Sequence, residues 1–202
     1  MNFFILASSI IVAAFIALTR SRQKKSQREM EKSFWARERE ANSVRKKSLD
    51  TLDYIHIPLD KFPFNLMTDN PEVLECQSLV NNLSAQKIVN FTGFTNTDLK
   101  LEYGTANITA LTEYDQNYTL LVRTLQQWAD ILYDAGYVYE ARTLMEFAIS
   151  TGTDISRTYY KLADIYSSRG DISQIEELIE KAKKLPTLNS KTIVRTLRES
   201  YQ

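Results

Sequence analysis

The chain has one cysteine and one histidine among 202 residues. One cysteine cannot close an internal disulfide or build a cysteine-based zinc site, and one histidine cannot form a His-His metal motif. Five glycines and four prolines are too few for a collagen-like or low-complexity chain. There is no glycine-rich phosphate loop, no nucleophile elbow and no cluster of metal-ligand residues. Acid pairs such as Glu176-Glu177 fall on solvated helix faces. These absences leave no catalytic residue to name and no cofactor or metal to expect, so the chain is read as a non-enzyme. Net charge is also lacking: 25 basic residues balance 25 acidic ones. What is present, 44% hydrophobic residues and 11% aromatic ones, excludes a wholly disordered chain.

The zero charge is a sum of two unlike parts. Arg20 to Lys47 carries 11 basic and 4 acidic residues, or +7, and the chain from Ser48 onward carries 14 basic and 21 acidic ones, or −7. Before Arg20 no side chain is charged. Phe3–Thr19, FFILASSIIVAAFIALT, is 17 apolar or small residues, and at a helical rise it spans roughly 26 Å, near the lower limit for a bilayer core. Nothing basic precedes the run and no small-residue cleavage site follows it, which favours an uncleaved anchor over a secretory signal. Lysine and arginine resist translocation, so the +7 flank predicts a single-pass protein of the cell membrane with its C-terminal part in the cytoplasm. Four glycosylation-type triplets begin at Asn82, Asn90, Asn107 and Asn117. In a chain rich in Asn, Ser and Thr they weigh little against the charge rule.

Ser21 to Ala41 lacks glycine and proline and favours helix. It reads as a stalk: a solvated spacer, or a contact for anionic lipid, which gains about 1 kcal/mol per basic residue near the surface. A nucleic-acid patch is weighed and set aside. Leu49 to Phe64, with Pro58 and Pro63, cannot form a long helix and is expected to lie extended on the folded part. His56 there is expected to be structural. Asn70-Pro71-Glu72 predicts a helix start, with a capping side chain, proline at the first helical position and an acid in the first turn. Cys76 in that helix is expected to be a small buried residue. Thr97-Asp98 predicts a second short helix closed by Gly104.

The strongest signal is an internal repeat. Shifting Leu125–Ile149 by 34 residues superposes Trp128 on Leu162, Ala129 on Ala163, Leu132 on Tyr166, Gly136 on Gly170, Leu144 on Leu178, Met145 on Ile179 and Ala148 on Ala182. A small residue, Ala141, follows the first glycine at the expected spacing, and Pro186 ends the second unit. This segment resembles the tetratricopeptide repeat family, whose period is 34. It departs at Ile175, where a small residue is usual, and at Thr153, where proline is usual.

Taken together, these readings predict an all-α fold: an anchor at 1–19, a basic helical stalk at 20–47, a linker packing on the domain at 48–69, and, from the resemblance, a TPR-like domain at 70–202. Its repeats fall at about 122–155 and 156–189, followed by an end helix. The resemblance also implies a module that binds a protein or peptide in the groove of the first helices. By phase, the groove residues are Arg123, Gln126, Asp130 and Tyr133, then Arg157, Tyr160, Asp164 and Ser167. The expected function is a membrane-anchored cytoplasmic scaffold or adaptor with no nucleic-acid partner. A structural subunit of a membrane complex and, with less support, an enzyme or enzyme subunit at the membrane remain open.

Overall fold

The computed structural model describes the backbone of residues 3–201 and the side chains of residues 19, 20 and 22–201. Among the described residues there are eight α-helices and no strand, so the chain is all-helical, as expected. They are α1 (Phe3–Ser43), α2 (Pro71–Ser84), α3 (Asn96–Tyr103), α4 (Ile108–Asp134), α5 (Val138–Ser150), α6 (Ser156–Ser168), α7 (Ile172–Lys183) and α8 (Asn189–Tyr201). The side chains of 3–18, in the apolar run expected as the anchor, lie outside the described residues. Among the described residues no helix is long and apolar enough to cross a membrane.

The chain divides into two compact units, one of Met1–Lys47 with Thr95–Ile108 and one of Ser48–Phe94 with Thr109–Gln202. In the first, α3 packs against the C-terminal part of α1. The cap lies two residues before the predicted Thr97: Thr95 supplies it, and α3 begins at Asn96. The Thr95 Oγ1 accepts from the Asp98 N–H at 3.2 Å, and Asp98 accepts from the Thr95 N–H at 2.8 Å, a capping box. Gly104 ends the helix at φ 87°, as predicted. Ion pairs join Arg37 to Asp98 and Glu38 to Lys100, and Thr97 Oγ1 donates to Glu38 at 2.8 Å. The Lys47 N–H donates to the Tyr103 carbonyl at 3.0 Å, and Asn107 Nδ2 donates to the carbonyls of Lys47 and Tyr103, each at 2.8 Å. Among the described residues of this unit, Ala41 and Leu99 are the only fully buried apolar ones.

The second unit is organised by apolar burial. Asn70 Oδ1 caps α2 at the N–H groups of Glu72 and Val73, with Pro71 at the first position, as read from the sequence. Cys76 is buried, and burial pushes its thiol up to about 11. Downstream, the helices recur with the 34-residue shift. α4 and α6 end at Asp134 and Ser168, and α5 and α7 begin at Val138 and Ile172. The turns repeat to the level of single hydrogen bonds. Gly136 (φ 88°) donates to the Tyr133 carbonyl at 3.0 Å while Tyr137 donates to Leu132 at 2.9 Å. Gly170 (φ 75°) donates to Ser167 at 3.0 Å while Asp171 donates to Tyr166 at 2.9 Å. Both are Schellman closures, in which the left-handed residue suits glycine. Six of the seven superposed pairs are buried in one core, the exposed glycine pair being the exception.

Two features complete this unit. α4 is 27 residues long and starts well before the repeat; Tyr118 and Leu121 from its earlier part join the core. Residues 48–70 hold a single short 3-10 turn, Leu59–Lys61, and otherwise follow an irregular path. Phe62 from this stretch meets Trp128 edge to face with ring centroids 6.1 Å apart, and Phe64 meets it at 5.3 Å. The open end of the first helix pair is thus covered by aromatic side chains of the preceding loop. Thr153 is buried and accepts the Tyr159 hydroxyl on its carbonyl at 3.0 Å.

Candidate functional site

Successive predicted groove positions lie three or four residues, about one turn, apart along α4 and α6, so each helix presents them on one face. The structure brings several of them together. Asp130 is the centre: Lys161 Nζ approaches one carboxylate oxygen at 2.7 Å and Arg157 Nε the other at 3.0 Å. Gln126, nearly buried, donates its Nε2 to Asp130 at 2.9 Å and accepts the Thr158 hydroxyl on its Oε1. Lys161 also lies 3.6 Å from Asp134 and 4.8 Å from the centroid of the Tyr133 ring. An open cleft of about 510 Å³ runs beside this network, with Arg123 and Arg157 on its walls and Ile131 and Ile155 supplying apolar surface. Arg123 is exposed and has no ion-pair partner among the described residues.

The remaining predicted positions are arranged differently. The carboxylate of Asp164 accepts the Tyr201 hydroxyl from α8, and burial together with that carboxylate pushes the Tyr201 phenol up to about 12. Tyr160 is half-buried and packs against the core, and Ser167 is exposed near the end of α6. Four residues that meet these positions, Asp134, Thr158, Lys161 and Tyr201, were not among those predicted. Lys161 stands four residues after Arg157, a spacing that already puts it on the same face. Tyr201 stands 34 after Ser167, so extending the shift by one helix finds it. Thr158 carries no such signal.

The cleft is lined by the carboxylates of Asp130 and Asp134, the guanidinium groups of Arg123 and Arg157 and the side-chain amides of Gln126 and Gln127 around an apolar surface. That combination suits an extended polar segment carrying an apolar residue. Among the described residues no group of three or more His, Cys, Asp or Glu side chains gathers as a metal site. Elsewhere in the second unit, Asn90 Nδ2 donates to the carbonyls of Thr151 and Gly152 at 2.9 and 3.2 Å. Asn90 and the buried Asn107 therefore commit their amide nitrogens to the fold, and those two glycosylation-type triplets are closed in the folded chain. Compared with known proteins, the chain matches no family model, no curated protein and no solved structure.

Proposed function

We propose that the chain is a membrane-anchored protein-interaction module with TPR-like helix pairs, in which the cleft between α4 and α6 receives a segment of a partner protein. The observation that carries this reading is the Asp130 network. A half-buried carboxylate holds Arg157 and Lys161 in place before any ligand arrives, and the 34-residue phase assigns Gln126, Asp130 and Arg157 to the groove. Pre-ordered polar groups beside apolar surface lower the entropy lost on binding. The chain itself performs no catalysis in this reading; it recruits.

The anchor is Phe3–Thr19 and the repeat-bearing part is cytoplasmic, on the strength of the uncharged run and the +7 flank behind it. Anionic headgroups meet only the start of that flank. Arg20, Arg22, Lys24 and Lys25 fall within about one Debye length, roughly 8 Å, of the run's end.

The test uses the full chain in its own membranes, with a photo-crosslinking residue at Gln127 in the cleft or at Glu176 on α7. Adducts to a discrete partner are expected from position 127 and not from 176. They should fall when the exposed Arg123 and Arg157 are both changed to Ala. Equal labelling from both positions, indifferent to those changes, rejects the cleft. A reporter fused after Gln202 that works only outside the cytoplasm is expected to stay silent; activity reverses the topology.

A further inference from the structure

The stretch of α1 before its contact with α3 is exposed around its whole circumference from Arg22 to Arg37. A helix so placed gains little from burial, and its like-charged neighbours one turn apart work against it. Lys24, Arg28 and Lys32 are such a row. Of its large apolar residues, Met30 and Phe34 share one face, while Trp35 stands off it with its ring edge to face with Phe34 at 5.3 Å. Met30 is 63% exposed and Phe34 54% exposed. They lie on the line Gln23, Gln27, Met30, Phe34, Arg37, Ala41, whose spacings alternate between four and three, the seam of a two-stranded coiled coil. At the C-terminal end of this line the partner is known. Arg37 pairs with Asp98, Ala41 is fully buried, and its carbonyl accepts the Thr105 hydroxyl at 3.2 Å. The same face continues beyond that interface as Phe34, Met30, Gln27 and Gln23, all of them exposed, with the adjacent Trp35 ring meeting Phe34 edge to face.

We propose that residues 23–34 of α1 pair in parallel with the same residues of a second copy, which takes over the seam where α3 leaves it. The charges select this occupant. Lys25, Arg28, Lys32 and Arg39 project from the opposite side of the helix, away from the seam. The flanking positions that face a partner hold Ser26, Ser33, Lys24 and Glu31. In a parallel pair Ser26 falls opposite Glu31, and Ser33 opposite Glu38, so no like charges meet. Each glutamine amide both donates and accepts and can pair with its twin. Arg20 occupies the next seam position, and two arginines facing each other end the pairing there. An acidic partner helix would instead be drawn to the basic side.

The experiment places one cysteine at a time in the full chain, at Gln23, Gln27, Met30 or Phe34 and at Arg22, Lys25, Arg28 or Lys32. Every site is exposed, and the parent with its buried Cys76 is the blank. After mild oxidation, the disulfide dimer should be at least fivefold more abundant from Gln27→Cys, Met30→Cys and Phe34→Cys than from Lys25→Cys, Arg28→Cys and Lys32→Cys. Adding 0.5 M NaCl should leave or raise the yield, because it screens the net positive charge on both copies. Adding Phe34→Asp to Gln27→Cys should drop the yield to the Lys25→Cys level. Equal yields at all eight positions, a maximum on the Arg28 and Lys32 side, loss of dimer in salt, or no dimer above the blank would each overturn the proposal. None of these readouts depends on the cleft, so the two readings fail separately.

Discussion

The two compact units are held by different kinds of force. Around α4 to α8, Trp128, Tyr159, Leu132, Leu144 and Leu162 are almost wholly buried, and the turns between helices repeat in backbone geometry. Between α1 and α3 the only fully buried apolar residues among those described are Ala41 and Leu99, and the contact is mainly a ladder of ion pairs, a capping box and hydrogen bonds to backbone carbonyls. Apolar burial is indifferent to pH and only mildly responsive to salt, whereas exposed ion pairs are screened. The same chain thus contains one unit that tolerates ionic conditions and one that reports them.

The largest effect that separates the units is expected at Trp128. Trp128→Ala removes a fully buried ring system packed against Phe62 and Phe64 and should cost about 3–5 kcal/mol. Urea unfolding of the full chain followed by circular dichroism measures it. Trp128→Phe should cost much less than the alanine change. The indole Nε1 is buried with no hydrogen-bond partner, so phenylalanine also removes an unmet donor. If the two substitutions cost the same, packing against the loop aromatics is not what matters there.

Glycines with similar φ values sharpen the contrast. At Gly136 an added Cβ meets nothing within 4 Å, so Gly136→Ala should cost only the left-handed backbone, about 1–2 kcal/mol. At Gly104 the Cβ would come within 2.7 Å of the Arg45 carbonyl carbon and 2.9 Å of the Lys46 Cα. Backbone cannot swing aside as a side chain does. Gly104→Ala should therefore exceed the ~1–3 kcal/mol of backbone strain alone. Its signature is local: hydrogen exchange at the Lys47 amide, bonded to the Tyr103 carbonyl, should accelerate while amides of α5 and α6 keep their protection.

The legibility of the molecule follows the same division. Helix ends marked by local chemistry could be read directly: Asn70-Pro71-Glu72 at the start of α2, Gly104 after α3, Gly136 and Gly170 at the turns. The 34-residue shift was visible because repeated packing demands repeated side-chain sizes. What could not be read are contacts between segments far apart in sequence with no periodic signal. Arg37 meets Asp98 across 61 positions, and Phe62 and Phe64 cover Trp128 from a loop whose pattern showed only that it is not a long helix. Within the cleft, Asp130, Gln126 and Arg157 followed from phase. The role of Lys161 required knowing that its amine falls between Asp130 and Asp134.

The smallest expected effect is the pH and salt response of the α1–α3 ladder. Hydrogen bonds from Lys100 and Thr97 hold the Glu38 carboxyl below its ordinary value. Those from the Thr95 side chain and backbone, with the help of Arg37, do the same for Asp98. A carboxylate whose folded value is depressed adds stability above its unfolded value, near 4 for these residue types. That contribution is lost as the pH falls through the lower folded value. The contact should hold from pH 7 to about 5 and loosen progressively below about pH 4. Both side chains are solvent-accessible, so the change is modest and should shrink further in 0.5 M NaCl. Hydrogen-exchange protection of α3, corrected for the intrinsic rate at each pH, is the measurement, with α6 as the internal control. Glu38→Gln should flatten part of the α3 response and leave α6 unmoved. A parallel decline of both helices would mean that the two units do not differ in the way their contacts imply.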